Sequence, residues 1–395
     1  MKNRNAGSCC SICQSSSVER VFDLAQVPTQ DGVMYKSFSG AKSAPSGGIV
    51  LMLCKDCGYI ENIGYEDKKV GFDDYDFSLS FSPLFSDFVE ELTDELIAKH
   101  QLWGKSIMEI GCGDGYFLKK ICRKAKAWGI GIDPGYVVRQ DEIKKWDPII
   151  IRDYYHQGHA LIKPDVIFCR HVLNVCGDPV GFLKTLRKNL GDHKDCTLYF
   201  EVPHARYTFG EKVLWNVVFE HKSWFTEDSL SHLFEACGFE VSSTGLCWND
   251  EYLMLEARPI DKGEAFDSYV DRNRIRSFIK KVREFSSYVG TIQTESKARL
   301  TEISDKEKRT VMWGAGARGV SFLNMFKING LVECVVDINP LRQGKFMPIS
   351  AHRVVAPAEL KEINPDVIII NNPTYAKEIM DQSREIGLEP EFWVL

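Results

Sequence analysis

The feature that most constrains the fold is the stretch Ile107-Met108-Glu109-Ile110-Gly111-Cys112-Gly113-Asp114-Gly115, where a short apolar run gives way to three alternating glycines. Without Cβ atoms, glycines permit a tight strand-to-helix turn and let backbone N–H groups approach an anionic ligand. Farther along, Trp128-Gly129-Ile130-Gly131-Ile132-Asp133 ends a second apolar run on a carboxylate, placed to accept ribose hydroxyls. Strands are expected over 106–110, 128–132, 148–151, 166–169 and 197–201, with helical segments between most of them. An amphipathic helix carrying Phe85, Phe88, Val89, Leu92, Leu96 and Ile97 precedes them, and runs at 239–248 and 252–257 suggest an antiparallel pair. The fold class is therefore α/β, with a doubly wound parallel sheet.

The E-x-G-x-G-x-G turn and distal Asp resemble the class I methyltransferases that use S-adenosylmethionine. By that resemblance Glu109, Gly111, Gly113 and Gly115 line the methionine side of the cofactor and Asp133 binds its ribose. Asp153 is a further candidate near the adenine, and Arg170 and His171 follow the fourth strand at the sheet edge where ligands lie.

Of 13 cysteines, five fall in the first 57 residues, and four of them form Cys10-x-x-Cys13 and Cys54-x-x-Cys57. Two residues between thiolates let both sulfurs face one ion from a tight turn, and two such turns complete a closed, structural zinc site. Cys9 is adjacent to Cys10, and the spacing leaves open which of them binds. Polar residues at 1–13 lack the apolar core of a signal peptide, and no apolar run reaches about 18 residues, so a cytoplasmic chain with reduced thiols and no membrane partner is expected. With 49 basic against 55 acidic residues the net charge is -6, which offers no overall field for nucleic acid.

The 395 residues suggest two or three domains. The expected division is a zinc-binding module at 1–75, a cofactor-binding domain at 76–258, connecting helices at 259–308 and a Rossmann-like domain at 309–395. Phe278, Ile279, Val282 and Phe285 give the connecting segment one apolar face. The last domain opens with Trp313-Gly314-Ala315-Gly316-Ala317-Arg318-Gly319, a G-x-G-x-x-G turn, with Asp337 ending the next strand. Alone, that turn would suggest a nicotinamide dinucleotide and an oxidoreductase; a Rossmann-like domain can also keep it for packing or for another phosphate ligand.

The order zinc module, methyltransferase, Rossmann-like domain is similar to the sugar C-methyltransferases acting on nucleotide-linked 4-keto-6-deoxy sugars. The similarity rests on the CxxC pairs, residues 109–115, Arg170-His171-Val172-Leu173, Glu201-Val202-Pro203, Glu220-His221-Lys222-Ser223-Trp224-Phe225 and residues 314–319 with Val336-Asp337-Ile338-Asn339-Pro340. It implies a nucleotide-sugar held against the last domain, with Gly314, Gly316, Arg318 and Asp337 as its candidate residues. The chemistry needs a base beside a ketone and a donor for the enolate oxygen. His221 is the candidate base, Glu220 orients it or holds a sugar hydroxyl, and Tyr75 is the candidate oxyanion donor. An oxygen or a non-sugar metabolite as methyl acceptor, and a non-enzymatic binding module, are the competing readings.

The chain also departs from that family near the expected site. Asn174-Val175 replaces a segment that commonly holds a second His, and Val218 stands where a Tyr commonly precedes the Glu-His pair. Trp248-Asn249-Asp250-Glu251 replaces a glycine-rich segment, and Asn371-Asn372-Pro373-Thr374-Tyr375 replaces a tryptophan-asparagine pair.

Overall fold

The computed structural model describes residues 8–73, 79–137, 144–261, 271–326 and 330–395. Three sheets organise the chain. The first takes β1 (Val18–Pro28), β2 (Ser46–Cys54) and β3 (Ile60–Asn62), with the short helix α1 (Phe38–Lys42) between β1 and β2. Its fourth strand, β9 (Ser223–Trp224), comes from far along the chain and pairs antiparallel with β3, Ile60 opposite Trp224. The segment expected to carry the catalytic pair is thus hydrogen-bonded to the cysteine-bearing module.

Helix α2 (Pro83–His100) follows. Ser82 caps it by accepting from the Phe85 N–H, Pro83 occupies the first turn where no donor is lost, and Gln101 in the left-handed region ends it. Next come β4 (Ser106–Ile110), α3 (Tyr116–Ala125), β5 (Trp128–Ile132), β6 (Ile149–Ile151), β7 (Val166–Arg170), α4 (Pro179–Leu190), β8 (Thr197–Pro203) and α5 (Ala205–Gly210). After β9 the chain forms α6 (Glu227–Ala236), β10 (Phe239–Cys247) and β11 (Tyr252–Pro259).

The second sheet has seven strands in the order β10-β11-β8-β7-β4-β5-β6. From β8 to β6 the pairings are parallel, whereas β11 runs antiparallel to both β8 and β10. This is the class I methyltransferase sheet that the turn and hairpin implied. Strand order reverses between β4 and β7, so the carboxyl ends of these strands border a crevice. The expected strand at 148–151 starts at Ile149, and the expected hairpin strand at 239–248 ends at Cys247 because Trp248, Asn249 and Asp250 all adopt positive φ.

Helix α7 (Arg272–Asp305) has 34 residues, about 51 Å of helix. It leads to β12 (Thr310–Trp313), α8 (Ala317–Phe326), β13 (Val335–Val336), β14 (Val354–Val355), α9 (Leu360–Ile363), β15 (Val367–Ile370), α10 (Ala376–Glu385) and β16 (Glu391–Val394). The third sheet, β14-β13-β12-β15-β16, is parallel throughout and gives the expected Rossmann-like unit. The strand expected from Val332 is shorter, beginning at Val335.

One apolar cluster runs through Phe22, Ile49 and Leu51 of the first sheet, Phe209, Trp224, Phe278 and Phe285, and on to Phe322 and Met347 beyond α7. The core therefore crosses positions 75, 258 and 308 rather than stopping at them. No helix among the described residues is long and apolar enough to cross a membrane.

Candidate active site

At the end of β4, Gly111, Gly113 and Gly115 all take positive φ, the region glycine enters without a Cβ penalty. A Cβ on Gly111 would lie 2.1 Å from Val172 Cγ2, so the turn is packed on one side. A Cβ on Gly113 would meet nothing within 4 Å among the described residues, so that side of the turn is open. The Gly113 N–H donates to Asp133 Oδ2 at 2.7 Å, while Asp133 Oδ1 accepts from the Gly135 N–H at 2.8 Å. Asp133 thus fastens the ends of β4 and β5 together.

Glu109 is buried, and its Oε2 has no partner among the described residues. Burial pushes its carboxyl up to about 8, against the opposing pull of Arg170. A buried oxygen of this kind calls for a partner that the described residues do not supply.

Arg170 and His171 converge on Glu201. Arg170 donates to Glu201 Oε1 at 3.0 Å and to Oε2 at 3.3 Å, and its guanidinium stacks over Phe117 at 4.6 Å. His171, with φ of 57°, turns its Nε2 to Glu201 Oε1 at 2.8 Å and its ring edge toward Tyr252 at 4.4 Å. Burial alone would raise the Glu201 carboxyl; Arg170 and His171 together hold it well below the usual carboxylate range. Glu201 was visible in the sequence only as part of a motif, without a role, and the tertiary structure makes it the anchor of both basic residues.

The Glu220–His221 pair lies just before β9. The Lys222 and Ser223 N–H groups both donate to the Asn174 carbonyl, at 2.8 and 3.0 Å, so the loop after β7 holds this segment. The His221 ring packs edge-on to Trp224 at 5.5 Å, and its Nδ1 is enclosed without a partner among the described residues. Burial, and secondarily the charge of His171, push its imidazole down to about 3. The ring is therefore neutral at neutral pH, able to accept a proton but weakly basic. Glu220 Oε1 accepts from the backbone N–H groups of Asp31 and Gly32, contacts from the first sheet that nothing in the local sequence around Glu220 announces.

The remaining expected site residues lie apart from this group or outside the described residues. Tyr75 lies outside the described residues. Asp153 is half-buried and accepts from His156 Nε2 at 3.0 Å. Both imidazole Nδ1 atoms nearby, of His156 and His159, accept backbone N–H bonds, which leaves their Nε2 protons directed at that carboxylate. In the last domain, Arg318 is buried and already bound, to Asn216 Oδ1 at 2.8 Å and Glu251 Oε1 at 2.6 Å. Asp337 accepts from the Ala315 and Asn339 N–H groups, each at 2.8 Å, and pairs with Arg342 at 3.3 Å. The Asn371 amide donates to the Gly314 carbonyl at 2.6 Å, where φ is 110°, and a Cβ on Gly316 would meet only Arg342 Nη1, at 3.9 Å, among the described residues.

At the front, Cys10 Sγ lies 3.8 Å from Cys57 Sγ and Cys13 Sγ 3.5 Å from Cys54 Sγ, and all four sulfurs lie within 4.8 Å of one another. A tetrahedron with metal–sulfur bonds of about 2.3 Å has edges of about 3.8 Å, so the donor set fits zinc. Cys9 is not part of the group.

Two family models match the chain: a methyltransferase domain over residues 84–244, and a C-methyltransferase C-terminal domain over residues 271–394. A tRNA U34 carboxymethyltransferase of Sulfurimonas denitrificans is 24% identical over 218 residues, spanning 48% of this chain and 67% of that protein. Among solved structures, the magnesium protoporphyrin IX methyltransferase of Synechocystis PCC 6803 with bound S-adenosylhomocysteine is 16% identical at a TM-score of 0.33, covering 45% of this chain and 84% of its own. An S-adenosylmethionine-dependent methyltransferase of Clostridium acetobutylicum is 14% identical at a TM-score of 0.33, covering 44% and 92%.

Proposed function

We propose that this chain, an S-adenosylmethionine-dependent methyltransferase, methylates a carbon beside the ketone of a nucleotide-linked deoxy-sugar in the cytoplasm. The observation that carries the reading is the C-methyltransferase C-terminal domain matched over residues 271–394, behind a methyltransferase unit that holds the Glu220–His221 pair against the loop after β7. That match speaks for a methyltransferase rather than a nicotinamide-dependent oxidoreductase, and in this reading Gly314, Gly316, Arg318 and Asp337 face the nucleotide-sugar.

In this reading Gly111, Gly113 and Gly115 form the cradle of the cofactor, Asp133 faces its ribose, and Glu109 lies at its methionine end. Asp153 stands at its adenine side. Arg170 and His171, fixed by Glu201, close the same edge. S-adenosylmethionine, when bound, supplies an electrophilic methyl group. The chain itself must remove the proton from the acceptor carbon and stabilise the oxygen that becomes negative. The Glu220–His221 pair is the proton acceptor, and the burial of Glu220 and enclosure of the His221 Nδ1 keep water from competing for the enolate. The Cys10, Cys13, Cys54 and Cys57 thiolates hold a structural zinc, with no coordination position left for catalysis.

The test uses S-adenosylmethionine labelled with carbon-13 at the methyl group and a panel of nucleotide-linked 4-keto sugars. A product whose labelled methyl shows one-bond coupling to a ring carbon is expected. Coupling through oxygen, or no transfer to any member of the panel, would refute carbon methylation of these sugars.

A further inference from the structure

The chain leaves β1 at Pro28 and crosses, as residues 29–32, to the segment carrying Glu220. The Thr29 N–H is tied to the Pro45 carbonyl at 3.0 Å, and the Tyr35 N–H to the Phe346 carbonyl at 2.9 Å, so the crossing is pinned at both ends. Between these ties, the Asp31 N–H donates to Glu220 Oε1 and the Gly32 N–H reaches the same oxygen at 3.4 Å. Asp31 is 2% exposed, and its Oδ2 has no hydrogen-bond partner among the described residues.

The Asp31 carboxyl therefore belongs to the residue whose backbone N–H holds Glu220, close enough to feel its charge, and the two groups have unequal surroundings. Two backbone donors favour a charged Glu220, because hydrogen bonds to a carboxylate stabilise the anion. The Asp31 carboxyl has burial and a neighbouring carboxylate against ionisation, and both push it well above the usual carboxylate range. A pair of acids driven apart in this way divides the roles of proton acceptor and proton donor.

We propose that Asp31 is held as a neutral carboxylic acid against an ionised Glu220, so that the first sheet supplies the proton-donating group of the active site. The inference rests on the carbon-methylation reading for its catalytic step. When the Glu220–His221 pair takes the proton from the acceptor carbon, the C–H electron pair becomes the enolate double bond. The carbonyl π pair moves to oxygen, which accepts a hydrogen bond from the Asp31 hydroxyl. Charge is conserved: the proton rests on the base, and the negative charge spreads over the enolate that Asp31 stabilises. A buried carboxyl that donates only as the oxygen becomes anionic contributes in the transition state rather than in substrate binding.

Two measurements on the full chain test this. Infrared difference spectra of the cofactor-free protein in heavy water near neutral pH, wild type minus Asp31→Asn, should show the carbonyl stretch of a neutral carboxyl group. With S-adenosylhomocysteine bound and a 4-keto sugar nucleotide present, solvent deuterium should enter the position beside the ketone, followed by proton NMR. Asp31→Leu should slow this exchange by roughly 100-fold, while Asp31→Asn, which keeps a donor, should stay within about tenfold. S-adenosylhomocysteine affinity should be unchanged in both. Absence of the neutral-carboxyl band, or wild-type exchange in Asp31→Leu, overturns the proposal. If the band is present but the wild-type protein exchanges none of the sugars, the sugar reading fails and the neutral Asp31 stands. Should Asp31→Leu fail to fold, the infrared band and the Asp31→Asn rate still decide.

Discussion

At the scale of single residues, the site is defined by carboxylates that the fold treats in opposite ways. Glu201 is buried but faces Arg170 and His171, and stays charged. Glu109 is buried with an oxygen that has no partner among the described residues, and is pushed up to about 8 from 4.5. Its folded value lies above its unfolded one, so its contribution to stability is complete below about pH 4.5 and is lost as pH rises toward 8. Glu109→Gln cannot ionise, so the wild type should lose stability relative to this variant, by an amount on the order of a few kcal/mol, between pH 5 and pH 8. Urea midpoints of the cofactor-free proteins at several pH values check this; a difference that does not change with pH contradicts it. The glycine turn and Asp133 were legible because a strand, three glycines and a distal acid are a local pattern with one structural solution. Asp31 was not, since it meets Glu220 only after the intervening chain has folded.

At the scale of elements, the two residues of β9 do more than their length suggests. They complete the first sheet, and Cys54, Cys57 and Tyr59 pack in the same cluster as Phe225 immediately after β9. Tyr59 also hydrogen-bonds the Ser223 hydroxyl at 2.6 Å. Zinc should therefore be coupled to the His221 segment. The purified protein is expected to hold about one zinc per chain, and chelation should destabilise it by several kcal/mol, because metal binding of this kind is folding free energy. Cys10→Ser should lose the metal and Cys9→Ser should keep it, as measured by metal analysis alongside thermal unfolding. Equal zinc in both variants would remove Cys10 from the ligand set. Each CxxC pair was readable from spacing; that their sheet borrows a strand from the catalytic segment was not, since Ser223-Trp224 is too short to announce itself by alternation.

At the scale of the whole molecule, α7 fastens the three sheets. Phe285 packs on Phe22, Arg283 pairs with Glu19 of β1, Arg274 with Asp228 of α6, and Arg299 with Glu391 of β16. The buried Arg318–Glu251 pair joins the last domain to the hairpin after β10. Removing one member leaves the other charge buried and uncompensated. Arg318→Met should therefore destabilise the protein by about 3 kcal/mol or more, and Arg318→Met with Glu251→Leu should recover most of it. Thermal unfolding of the two variants decides, and an additive loss in the double variant would show that the pair is not coupled. The sequence by itself determined the two α/β units, their glycine turns and the two CxxC pairs, because each follows from short-range periodicity or spacing, and the resemblance carried by the first turn implied the cofactor class. Only the tertiary structure decided that these units share one core, that Arg318 and Asp337 are bound by protein partners, and that the first sheet delivers Asp31 to Glu220. Those pairings depend on which distant surfaces bury each other, and chain-local patterns of hydrophobicity and turn chemistry carry no record of that choice.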